Sequence, residues 1–153
     1  FIVSRLFLLF VFVLPLGCSQ TDYPNVTYPV TGRLLTKDGA PAAGVRVTLH
    51  SSQIISEGDP FRPSGTSDQD GLFQLTTYET DDGAPTGNYA MTFRWAPPQK
   101  TLLDPTPKDR LKNRFAVPND ESLTCEIIDS KEPQDIGTFE IDVKKLSIDR
   151  MMP

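Results

Sequence analysis

The chain has 153 residues, 38% apolar and 23% charged, which fits one modest domain with processed or flexible ends. Fourteen Pro and ten Gly demand many turns and argue against long helices. The net charge is -5 and no basic patch is expected, which disfavours nucleic acid as a partner, while two cysteines, Cys18 and Cys125, exclude a disulfide-stapled scaffold.

The first element is residues 1–17, FIVSRLFLLFVFVLPLG, with Arg5 as its only charge. Its apolar run from Leu6 to Leu14 is shorter than the ~20 residues that span a bilayer and matches the core of a signal peptide. The first residue is Phe1, so the expected signal peptide is N-terminally truncated. No small-x-small cleavage site follows. Instead Gly17 and Cys18 end the run, and the arrangement resembles a bacterial lipobox, in which a cysteine thiol receives a diacylglyceryl group before cleavage. Leu16 is bulkier than the usual small residue, and Pro15 stands where Leu is usual. The resemblance implies lipidation of Cys18 and a membrane anchor, since each buried CH₂ contributes ~0.8 kcal/mol. Ser19 follows in place of the Asp linked to inner-membrane retention, which favours the outer membrane.

Residues 18–29 are polar, with Pro24 and Pro29, and read as a flexible tether. From Val30 the pattern is that of β-strands. VTGRLL leads into a turn cluster around Asp38-Gly39, Pro41 and Gly44. VRVTLHS alternates, with Val45, Val47 and Leu49 inward and Arg46, Thr48 and His50 outward. SDQDG is a turn before LFQLTTY, whose inward residues are Phe73 and Leu75. NYAMTFRW alternates most strongly, with Tyr89, Met91, Phe93 and Trp95 set against Ala90, Thr92 and Arg94. Residues 97–113 read as a long excursion and RFAVP as a short edge strand. SLTCEII groups Leu123, Cys125 and Ile127, and TFEIDV groups Phe139, Ile141 and Val143. The tail, residues 144–153, reads as flexible. About seven short strands without an amphipathic helix predict an all-β fold, an antiparallel Greek-key β-sandwich.

The fragments VTGRLLTKDGAPAAGVRVTLH, TSDQDGLFQLTTYETDDGAPTGNYAMTF and DRLKNRFAVP resemble the carboxypeptidase-regulatory-like family, in its small lipobox-bearing bacterial secreted form. Gly32, Asp38, Gly39, Pro41, Gly44, Val45 and Val47 fit the first half of the family pattern. Thr66, Asp68, Asp70, Gly71, Phe73, Leu75, Pro85, Gly87 and Tyr89 fit the second. Ser67 adds a residue before Asp68, and Ala40 precedes the proline that the family often places directly. The resemblance covers residues 30–143 and implies a transthyretin-like sandwich. It implies no chemistry, because one fold hosts many functions.

His50 is the one histidine, which leaves a His-rich zinc site out of reach. It also falls short of the several histidines of the hydroxyisourate hydrolases, which share the transthyretin fold, and of the two histidines that join two tyrosines on iron in the intradiol dioxygenases. A Ser-His-Asp arrangement survives the count, but Pro63-Ser64-Gly65 lacks the strand-to-helix elbow. Asp68 and Asp70 suit a hairpin turn better than a calcium loop, which needs more oxygen donors. Cys125 reads as a shielded core thiol. No metal, no cofactor and no catalytic residue is expected. The expected protein is a non-catalytic, lipid-anchored interaction or structural module of the cell envelope. Its partners are the membrane, through the N-terminal lipid, and an envelope protein or a glycan. The alternative is a carbohydrate-binding module, with Trp95 and Tyr78 as candidate stacking rings.

Overall fold

The structure, a computed structural model, describes residues 22–51, 61–103 and 105–151. Within them the chain forms ten strands and no helix. In order these are β1 (Thr27–Tyr28), β2 (Val30–Thr36), β3 (Val45–Ser51), β4 (Ser64–Thr66), β5 (Leu72–Gln74), β6 (Ala84–Pro85), β7 (Gly87–Trp95), β8 (Thr124–Ile127), β9 (Gln134–Asp142) and β10 (Ser147–Met151). They make two four-stranded sheets, β10-β9-β2-β5 and β4-β3-β7-β8, with a β1-β6 ribbon.

Period-two alternation determines what each sheet buries. Val45, Val47 and Leu49 of β3 are fully buried, as are Tyr89, Met91 and Phe93 of β7, with Trp95 at 8% exposure. The facing sheet supplies Val30, Leu34, Phe73, Phe139 and Ile141 to the same core. Phe93 and Phe139 meet across it with ring centroids 5.7 Å apart. Each large side chain so buried contributes roughly 1.5–3 kcal/mol. Gly32 lets β2 pass close beneath Phe73, because a Cβ there would press on the ring and force it to shift.

The structure corrects the expected all-antiparallel pairing at one place. β9 runs parallel to β2, from Val30 opposite Gln134 to Thr36 opposite Ile141. Its register shifts between Thr31 and Arg33, where Gly137 adopts φ 106 and absorbs the extra residue of a bulge.

The chain ends differ from expectation too. Residues 22–29, placed in a flexible tether, are partly built into the domain. Tyr28 sits opposite Ala84 in the ribbon, and Tyr23 stacks on Tyr78. The tail, expected to be loose, forms β10 against β9. Asp142 makes that hairpin by accepting the N–H groups of Lys144 and Lys145 at 2.9 and 3.0 Å.

RFAVP is not a strand. Lys112 and Asn113 adopt positive φ, which turns the chain too tightly for a ladder. The segment still satisfies the edge of β7, because Phe93 N–H donates to Phe115 O at 2.9 Å and Met91 N–H to Leu123 O at 2.8 Å.

Candidate functional site

β7 begins beside the β1-β6 ribbon and ends at Trp95. Its nine residues, at about 3.3 Å each, separate the two ends of the sheets by roughly 25 Å. The ends differ in chemistry. At the ribbon end, Tyr23 and Tyr78 stack with centroids 4.6 Å apart, and Phe61 meets Tyr78 edge-on at 5.4 Å. Asp82 holds the turn beneath them by accepting the N–H groups of Thr77, Tyr78 and Glu79 at 2.7, 3.0 and 3.1 Å.

At the other end the chain leaves Trp95, makes its proline-rich excursion and returns at Asp109. The buried Asp109 carboxylate accepts the N–H groups of Trp95, Leu111 and Asn113 at 2.8, 3.1 and 3.0 Å. Trp95 is fixed further by its indole N–H, which donates to Ala43 O at 3.0 Å. The Arg110 guanidinium lies over its ring, 4.2 Å from the centroid. In the run Lys108-Asp109-Arg110 the acid therefore points inward and both bases are exposed.

Two adjoining grooves open here and share Gly44, Ala96, Pro97 and Pro98 in their walls. One, of about 570 Å³, is lined by Arg46 and Arg94. The other, of about 560 Å³, is lined by Trp95, Lys108 and Arg110. Arg46 and Arg94 sit directly opposite each other on β3 and β7, a like-charge cross-strand pair that costs stability. Their recorded partners are neutral: Ser64 Oγ at 3.2 Å for Arg46 and Pro107 O at 3.4 Å for Arg94. The ion pair found among the described residues, Lys37–Glu140 at 2.6 Å, lies elsewhere. The expectation of no basic patch is thus corrected. Arg46, Arg94 and the Lys108/Arg110 pair come together here on an acidic protein, and neither groove has an acidic residue in its lining, although Arg46 also lines a neighbouring groove with Asp68 and Asp81.

Cys18 and the signal segment lie outside the described residues. His50 is on the outer face, with Nε2 2.9 Å from Thr92 Oγ1 and Nδ1 3.5 Å from Arg62 Nη1. Arginine can only donate, so Nδ1 accepts and the ring is neutral. Burial, then the Arg62 charge, holds its pKa below 6.5. In a Ser-His-Asp triad a carboxylate holds that nitrogen; here a cation faces it. The Ser64 hydroxyl contacts Arg46.

Asp68 is a turn residue here. Its Oδ1 accepts the N–H groups of Asp70 and Leu72, both at 2.9 Å, while Gly71 takes φ 76. Cys125 packs against the core, and burial pushes its thiol up to about 11. Each candidate stacking ring carries a neighbour on one face. Tyr78 carries Tyr23 on its face, and Trp95 is buried beneath Arg110. No group of three His, Cys, Asp or Glu among the described residues is placed to hold a metal.

Composition hid the basic groove, because an acidic total averages out a local cluster. The available signals were Arg46 and Arg94 at outward positions and the Lys108-Asp109-Arg110 run beyond the prolines.

No protein-family model and no curated protein matches the chain. Among solved structures it is similar to a 9R-lipoxygenase from Cyanothece PCC8801, with 15% identity and a TM-score of 0.43 over 82% of this chain and 18% of that one. It is also similar to an (S)-allantoin synthase, with 15% identity and a TM-score of 0.44 over 83% of this chain and 44% of that one. The chain spans less than half the length of either, and at these scores neither likeness bears on what it does.

Proposed function

We propose that this is an exported, lipid-anchored protein of the cell envelope, favouring the outer membrane, and that it acts as a non-catalytic interaction or structural module. In this reading its two sheets are a transthyretin-like Greek-key sandwich of the carboxypeptidase-regulatory-like kind. The observation that carries the proposal is the apolar run that stops at Gly17-Cys18. The placement of Tyr23 supports it: a lipid on Cys18 would hold the ribbon end near the membrane and turn the Trp95 end outward. His50 faces Arg62 instead of a carboxylate, which argues against a Ser-His-Asp arrangement at that residue.

Metabolic labelling with a fatty-acid analogue tests the anchor. The wild-type chain takes up label and partitions with membranes, and Cys18→Ser does neither. Equal labelling of both chains overturns the reading.

A further inference from the structure

We propose that the paired grooves at the Trp95 end bind an acidic peptide segment of a partner protein, with its carboxylates held by Arg46, Arg94, Lys108 and Arg110. The inference deepens the interaction-module reading and rests on it, but it does not depend on the lipid.

Three observations lead to it. First, Arg46 and Arg94 are directly opposed across β3 and β7, and no carboxylate is recorded within ion-pair distance of either among the described residues. Both line one groove, where a bound anion would offset their like charge. Second, the one acid in the neighbouring run, Asp109, is turned inward onto backbone N–H groups. Lys108 and Arg110 are left exposed without it. Third, Ala96, Pro97 and Pro98 form a wall common to both grooves, which gives an extended chain an apolar surface between the charged contacts.

Arginine forks match carboxylates in a bidentate geometry, and glutamates spaced along a strand reach successive cations. A glycan is the weaker fit. Sugar rings need an open aromatic face, and Arg110 occupies that of Trp95.

The test uses the full chain in mild detergent and a fluorescein-labelled oligoglutamate peptide, with binding read by anisotropy. Binding is expected to weaken as salt is raised. Arg46→Gln and Arg94→Gln should each weaken it by about fivefold, and Lys131→Gln, an exposed cation outside the groove linings, should leave it unchanged. Arg94→Gln should also raise the melting temperature of the free protein, because it relieves the repulsion from Arg46. Lack of peptide binding overturns the proposal. So does equal weakening by Lys131→Gln, a fall in melting temperature for Arg94→Gln, or preference for polygalacturonate over oligoglutamate. Loss of labelling at Cys18 with intact peptide binding would overturn the anchor alone.

Discussion

The two ends of the sheets use the same device and finish differently. At each end an aspartate collects three backbone N–H groups and fixes a turn, Asp82 at the ribbon end and Asp109 at the Trp95 end. Above Asp82 the exposed surface is aromatic and self-contacting, with Tyr23, Phe61 and Tyr78 gathered on one another. Around Asp109 the surface is cationic and its charges face open grooves. The first arrangement is complete within the chain. In the second, Arg46 and Arg94 are opposed like charges whose partners are neutral. Capping therefore separates two tasks: the aspartate sets the backbone, and the flanking residues are free to close the end or to leave it receptive.

The comparison breaks most visibly at Asp109. Asp109→Ala strands the buried N–H groups of Trp95 and Leu111 and the part-buried one of Asn113, and the expected loss is about 3–5 kcal/mol by denaturant unfolding. Asp82 is half-buried, so water replaces part of what it supplies, and Asp82→Ala should cost about 1–2 kcal/mol. Equal losses would show that burial does not distinguish the two hubs.

Tyr78→Ala removes the ring beneath Tyr23 and should cost about 0.5–1.5 kcal/mol beyond the lost area. Its sharper readout is limited proteolysis, where residues 22–28 become a cleavage site while the Trp95 end stays protected. Unchanged resistance would mean that the β1-β6 pairing holds the segment without the stack.

The smallest effect is a pH slope from His50. Its folded pKa lies below the unfolded value of 6.5, first through burial and then through Arg62, so the unfolded chain takes up that proton first as pH falls. Its contribution is full above pH 6.5 and is lost as pH falls toward the folded value. His50→Gln should flatten the stability profile in that window. An unaltered profile would show that His50 ionises alike in both states.

Much of the fold is legible in local alternation. Val45, Val47 and Leu49, and Tyr89, Met91, Phe93 and Trp95, bury the faces their spacing predicts, and Asp68-to-Gly71 makes the turn its residues favour. Illegible were the elements fixed by distant partners. β10 puts Arg150 opposite Phe139, with its exposed guanidinium 5.1 Å from that ring and hydrogen-bonded to Thr124 O, partners that no local pattern announces. The β1-β6 ribbon has two residues per strand, too few for any period. The groove was hidden for the same reason. Arg46 and Arg94 are each ordinary outward arginines, and their opposition follows from a β3-β7 register set by contacts between strands distant in sequence. Lys108 and Arg110 join them because Asp109 turns inward, a choice made by backbone donors and not by hydropathy.

The parallel neighbour of β2 has a consequence for the order of assembly. β2 lies near the start of the described chain, and the strand beside it on that edge is β9, on the order of a hundred residues later. Until β9 emerges from the ribosome, β2 has β5 on one side and an empty edge on the other. The first sheet closes only after every strand of the second has been made, and the loop that it closes is long and entropically costly. A nascent chain built this way stays unlocked until β9 is available, so β9 and β10 control the moment at which the domain sets.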